Sequence, residues 1–304
     1  MLQIIGKTSI DFMRKRNIAF ACSSLLALVG LIAFVQIGRG AANLSIDFTG
    51  GAAVQLRFDK PIRIDEARRA LDAHGLPNAE LQEFVGENKL LVRLKAAAAE
   101  EKVTDQVVAV LTAAFPGNPL VVESSSVIGP TIGQQIKHDA LVAILISVVG
   151  IILYISARFE LRFGVAAALA MLHDVLAVLG MFYLLDKEMT LLVMTALLTL
   201  AGYSLTDKVV VFDRIRENLR TRRRESLDAI INNSINQVLS RTVVTSLTVV
   251  LVLIPLAVIG GEVLHDFALA LLWGVMIGTY SSIFLASPFL LLWPAHAGYL
   301  VSRK

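Results

Sequence analysis

The stretch "LLVMTALLTLAGYSLTDKVVVFDRIREN", residues 191–218, joins two patterns that rarely share one helix. Its first half is apolar enough to cross a membrane. Its second half carries Asp207 and Lys208 side by side, then Asp213, Arg214, Arg216 and Glu217. A membrane helix excludes most such groups, because a charge at bilayer depth is costly and seldom persists without work to do. A soluble helix would not open on so apolar a run. The remainder of the chain decides between the two.

That remainder is a membrane protein's. Of 304 residues, 56% are hydrophobic and only 17% are charged, against roughly 25% charged in ordinary soluble domains. The single cysteine, Cys22, excludes an internal disulfide framework and reads as a small apolar residue in a membrane helix. A membrane helix needs about 20 mainly apolar residues. Six stretches meet that requirement: 18–38, about 139–157, about 163–185, from Thr190 to about Phe212, about 242–260 and about 267–293.

The basic residues orient these spans. Arg14, Lys15 and Arg16 precede the first, whose apolar run is too long for a cleaved signal and reads as an uncleaved anchor. By the positive-inside rule the N-terminus is cytoplasmic. "RFELR" at 158–162 and the segment 213–241 are arginine-rich and belong inside. "DKEM" at 186–189 and "GGEVLHD" at 260–266 belong outside. The tail 294–304 ends in Arg303 and Lys304, again inside. Residues 1–38 therefore hold a cytoplasmic N-terminus and the first helix, and 138–293 hold helices two to six.

Residues 39–137 lie between the first two spans, on the outer side. "VQLRF" at 54–58 alternates as a half-buried strand does. "DEARRALDAH" at 65–74 opens with acids and stops at Gly75, as a helix does. "AELQEFV" and "KLLVRL" flank "GEN" as a hairpin. Residues 98–115 read as a second helix and 119–127 as a last strand. The order β-α-β-β-α-β predicts a small α+β, ferredoxin-like domain. It carries no metal-ligand set, nucleophile elbow or phosphate loop, which favours a binding or lever element over an enzyme.

Three places put charge in the membrane. Asp207 lies about 7.5 Å past the middle of span four, by a rise of about 1.5 Å per residue. Its readings are a structural ion pair or a carboxylate that takes and releases a proton. Lys208 faces elsewhere than Asp207, since neighbours on a helix do not face each other. It reads as an anchor whose stem reaches the cytoplasmic surface, or as a polar contact within the membrane like His173, Asp174 and Thr206. Arg241 opens span five. A hairpin centred on Arg224 puts it level with Asp207 as its partner, or leaves it as one more inside anchor. His173 and Asp174 sit at the centre of span three, where adjacent residues cannot simply pair. They suggest contacts to another helix, a proton path, or packing for His173. The five His show no metal-ligand spacing. The basic connector 213–241 reads as lying on anionic lipid headgroups.

Glycine and proline mark both junctions of the outer domain. Gly50 and Gly51 in "FTGG", and Gly129, Pro130 and Gly133 in "SVIGPTIG", suggest hinges. Gly274 and Gly278 form a G-x-x-x-G pattern in span six.

"DFTGG", "SVIGPTIG", "HD", "GYSLTDKVVVFDRIREN", "NQVLSRTVVTS" and "GTYSSIFLASP" occur in the order found in the SecF family, and the chain resembles that family from about Ile46 to Pro288. The resemblance implies a polytopic α-helical membrane protein of the resistance-nodulation-division superfamily, with six transmembrane helices and its α+β domain in the periplasm. It implies residence in the bacterial inner membrane, pairing with SecD, work beside the SecYEG channel and YajC, and contact with the translocating polypeptide. It implies the proton-motive force as driver, with no cofactor, no enzyme activity and no nucleic acid. It assigns the proton relay to Asp207 and Arg241. The family's wording is similar to "GYSLNDT", so Thr206 and Lys208 depart from it. Thr206 can still hydrogen-bond the carboxylate, while Lys208 puts the relay's working pH and coupling ion in question. The rival readings are an assembly subunit that only holds SecD, and half of a small-solute or lipid exporter. An intramembrane enzyme lacks its motifs.

Overall fold

The computed structural model describes residues 6, 8–39, 43–77, 79–84, 87–95, 102–222 and 225–292. Gly86 of the expected hairpin turn, residues 98–101 of the expected second helix, Arg223 and Arg224 of the basic turn, and the tail 294–304 lie outside the described residues. The chain forms two compact units, Met1–Asn43 with Ile144–Lys304, and Leu44–Ala143.

Helix α1 spans Arg16–Gly38 and opens the first unit. The second unit begins with one helical turn, α2 (Ile46–Thr49), capped by Ser45 Oγ accepting from the Asp47 N–H at 3.1 Å. Then come β1 (Gly51–Phe58), α3 (Ile64–Ala73), β2 (Glu80–Phe84), β3 (Lys89–Lys95), α4 (Val103–Ala114) and β4 (Leu120–Ile128). The strands form one antiparallel sheet in the order β2-β3-β1-β4. This is the βαββαβ arrangement that the sequence pattern predicts.

Alternation builds its core. In β1, Ala52, Val54, Leu56 and Phe58 are buried, while Arg57 between them faces out. Leu90, Val92 and Leu94 of β3 bury the matching face. Ala67 and Leu71 of α3, and Val103, Val107 and Leu111 of α4, close over it at spacings of four. Among β4 residues, Val121, Val122 and Val127 stay exposed at the edge of the sheet.

The junction glycines are packing residues in this conformation. A Cβ on Gly51, whose φ is +136°, would lie 2.1 Å from Leu94 O. One on Gly133 would lie 2.8 Å from Gly50 N, and one on Gly50, with φ +71°, 2.9 Å from Pro130 Cα. The second junction is not a loose loop. Only Gly129 separates β4 from α5 (Pro130–Arg158), with Pro130 as first helical residue and Gly133 in its first turn. A Cβ on Gly129 would meet open space.

The first unit continues with α6 (Leu161–Leu184), α7 (Leu191–Thr221), α8 (Leu227–Ile259) and α9 (Gly261–Ser281). A π-helical stretch, Ser282–Ala286, and α10 (Ser287–Phe289) follow. Among the described residues, six helical segments are long and apolar enough to cross a membrane. Helices α6, α7 and α9 form the interior, where Ala166, Ala170, Val178, Leu200, Val211 and Val275 are buried. Phe163 and Phe212 meet edge to face with ring centres 5.4 Å apart. The tightest crossing is between α1 and α6. A Cβ on Gly30 would stand 2.0 Å from Leu176 O, and one on Gly180 would stand 2.8 Å from Gly30 N.

Two expectations change at the basic end. The segment 213–241 is not a connector lying flat. It is the continuation of α7 and the start of α8, folded into a hairpin. Asn218 Nδ2 donates to Ser234 Oγ at 2.8 Å and to Gln237 Oε1 at 2.9 Å. Arg214 Nε donates to the same Gln237 oxygen at 2.6 Å. The asparagine and glutamine side chains of that segment are engaged by protein, while Arg220 stays exposed. The second change is a strap. The Asn232 side chain accepts from the Phe12 N–H at 2.9 Å and donates to Asp11 Oδ1 at 2.7 Å. Asn236 exchanges hydrogen bonds with the backbone of Ile10, both at 2.9 Å. Asparagines four apart on α8 thus hold the N-terminal segment as an added strand would be held, by its main chain.

The strap carries a pH dependence. Asn232 and the Arg14 N–H hydrogen-bond the Asp11 carboxylate and hold its pKa below the ordinary value. A carboxylate depressed in the folded state stabilises it above its unfolded pKa, about 3.9, and that contribution fades as pH falls through the folded value. Acidification below about pH 4 should therefore release the strap first. Amide exchange at Phe12 and Met13 should accelerate there relative to the α7 interior, and Asp11→Asn should remove that difference.

Candidate functional site

Among the described residues, every charge in the opening stretch except Asp207 and Arg216 finds an ionic partner. Asp213 pairs with Arg158 at 3.0 Å, and Arg214 with Glu217 at 2.5 Å. Lys208 shows the largest departure from expectation. It does not reach for the surface. Its side chain is fully buried, and its Nζ lies 2.6 Å from Asp174 Oδ2.

The local geometry explains why. Ser204 and Lys208 stand four apart, on one face of α7. That face meets α9 where Gly274 and Gly278 remove side-chain bulk: Cβ atoms there would lie 2.5 Å from Leu200 Cδ1 and 3.0 Å from Ser204 Oγ. The G-x-x-x-G pattern therefore brings α9 against α7, and Ser281 follows one turn later. Asp174 enters from α6. Lys208 Nζ donates to Ser204 Oγ at 2.5 Å, Ser281 Oγ at 3.0 Å and Ser204 O at 3.4 Å. Ser281 Oγ donates to Asp174 Oδ2 at 2.8 Å, and Ser204 Oγ also donates to that oxygen. On the far side, His173 Nδ1 sits 3.0 Å from Asp174 Oδ1. The neighbours that seemed unable to pair are within hydrogen-bond reach of each other. Asp174, Lys208, Ser204 and Ser281 are each 0% exposed. Such an ion pair is tolerable in a low-dielectric interior only because further hydrogen bonds satisfy both ends.

Asp207 occupies another face of the same helix. It is 6% exposed, with the hydroxyls of Ser246 and Thr245 on α8 beside it. Among the described residues its Oδ2 has no hydrogen-bond partner. Arg241 is exposed, and no ion pair joins it to Asp207 in this conformation. The pairing of Asn218 with Ser234 centres the hairpin on Ser226 rather than Arg224. Thr245 therefore falls opposite Asp207, and Arg241 falls about one turn away. Thr206 donates to Gly202 O at 3.2 Å on the exposed face and does not serve the carboxylate.

Sequence reasoning missed Ser204 and Ser281. The signal available was Ser204 four residues before a membrane lysine, which puts a hydroxyl on the lysine's own face. Among the described residues no group of three or more His, Cys, Asp or Glu gathers as a metal site.

Comparison with known proteins agrees with this architecture. Residues 107–296 match the family model "Protein export membrane protein SecD/SecF, C-terminal", and residues 42–62 match "SecD/SecF GG Motif". The chain is 50% identical to the protein translocase subunit SecF of Thermodesulfovibrio yellowstonii, over 96% of this chain and 97% of that one. It is 39% identical to the protein translocase subunit SecDF of Thermus thermophilus, over 90% of this chain and 37% of that one. The crystal structure of SecDF from that genus superposes with a TM-score of 0.85 at 38% identity, covering 94% of this chain and 39% of that chain.

Proposed function

The chain belongs to the SecF family of protein translocase subunits, and we propose that it pairs with SecD in the bacterial inner membrane to assist protein export with the proton-motive force. The observation that carries this reading is the Asp207 carboxylate, buried at the α7–α8 face with one oxygen unpartnered and Arg241 about a turn away. A carboxylate held in that way gains from a proton when its cation is distant, and gains from the cation when the proton leaves. Protonation and pairing with Arg241 are then alternatives, and movement of α8 along α7 exchanges them. That is a bistable element biased by charge.

In this reading both termini are cytoplasmic and the βαββαβ domain is periplasmic, where it meets the emerging polypeptide. Gly129, with open space about its Cα, is the favoured pivot among the five junction residues. SecYEG and YajC are the neighbouring partners, and anionic lipid headgroups meet the exposed arginines at the basic end. No cofactor takes part, and no bond is made or broken beyond the proton's own.

The test is export. In cells dependent on this chain, Asp207→Asn at equal membrane level and equal SecD co-purification should slow pulse-chase export of a secreted protein to the level of cells lacking the chain. Export at the wild-type rate would make Asp207 structural and the chain a scaffold for SecD.

A further inference from the structure

The environment of Lys208 Nζ is that of a metal ion more than of a conventional salt bridge. Four oxygens surround it: Asp174 Oδ2 at 2.6 Å, Ser204 Oγ at 2.5 Å, Ser281 Oγ at 3.0 Å and Ser204 O at 3.4 Å. One is a carboxylate oxygen, two are hydroxyls and one is a main-chain carbonyl. They come from three helices, and all three side chains are 0% exposed. The cage bears a single negative charge, so a monovalent cation neutralises it and a divalent cation would leave an excess. Oxygens alone, hard ligands without sulfur, suit alkali cations and not the softer transition metals.

We propose that Asp174, Ser204 and Ser281 form an alkali-cation site that Lys208 fills permanently with its own ammonium. The lysine is a tethered ion. It holds the three interior helices together as a bound cation would, and it bars sodium or potassium from the middle of the bundle. This chain is thereby insensitive to the alkali ions around it, whereas removing the tether exposes a site for them. The inference concerns the α6–α7–α9 face and stands whether or not Asp207 relays protons.

The experiment uses the full chain, purified with its co-expressed SecD. Its thermal midpoint is measured in choline, sodium and potassium chloride at one ionic strength. Wild type should give the same midpoint in all three salts. Lys208→Ala should melt lower than wild type in choline. It should recover as sodium or potassium is raised, along a saturable curve, since a ligand that binds only the folded state stabilises it by mass action. The double variant Asp174→Asn/Lys208→Ala, with no carboxylate to hold the ion, should lose that response. A Lys208→Ala protein with equal midpoints in choline, sodium and potassium overturns the proposal. So does failure to recover Lys208→Ala in high sodium or potassium, where the ion should have replaced the lost ammonium. A wild-type midpoint that climbs with sodium as the variant's does would also overturn it.

Discussion

Asp174→Asn should destabilise the membrane bundle by about 3–5 kcal/mol, the range for stranding one partner of a buried ion pair. The substitution leaves the shape of the side chain nearly intact, so little of this arises from packing. It arises from the Lys208 ammonium, fully buried and left with hydroxyl and carbonyl oxygens alone. Asp174→Asn/Lys208→Met should recover most of the loss, because removing both charges together is often neutral. Denaturant titration of the detergent-solubilised complex measures both. A loss below about 1 kcal/mol, the range of exposed pairs, would show that water reaches the pair. Full additivity of the two single variants would show that they do not act on each other.

Gly30→Val should have an effect of similar size through pure sterics. The Cβ that even alanine brings would stand 2.0 Å from the Leu176 carbonyl oxygen. Backbone cannot give way as a side chain end can, so α1 must move off α6. Overpacking costs about 1–3 kcal/mol where side chains can adjust, and this site should lie at or above the top of that range. Gly180 meets the same crossing from the other side, 2.8 Å from Gly30 N. Gly38→Val serves as control, because a Cβ there meets nothing within 4 Å. The check is the yield of folded chain from membranes and its thermal midpoint. Equal values for the two variants would mean that α1 is not seated against α6 as described.

The sequence made periodic features legible. Six apolar runs, the alternation of β1, the acidic start and glycine stop of α3 and the element order β-α-β-β-α-β need only local pattern to be read. What escaped was tertiary. Lys208 was taken for a surface anchor because a lone lysine near a helix end usually is one, and nothing in span four announces Asp174 in span three. Arg241 was set opposite Asp207 by assuming a hairpin symmetric about Arg224. A shift of two residues in that centre moves the facing residue by four, a full turn. The connector 213–241 looked lipid-facing because it is rich in arginine, and its asparagines and glutamine gave no sign of their partners. Their partners were α7 and residues 10–13, which have no apolar pattern of their own. The Gly30–Gly180 crossing joins single glycines on separate helices, so no spacing rule points to it.

Asp207 and Lys208 are consecutive, yet one faces α8 and the other is fixed between α6 and α9. This restricts how α7 can move. Turning α7 about its axis to carry Asp207 anywhere would draw Lys208 out of its ring of oxygens. In the relay proposed above, α7 is therefore the fixed part. The part left to move in that proposal is α8, whose outer face shows Leu251, Val252, Val258 and Ile259, travelling past a carboxylate that stays still.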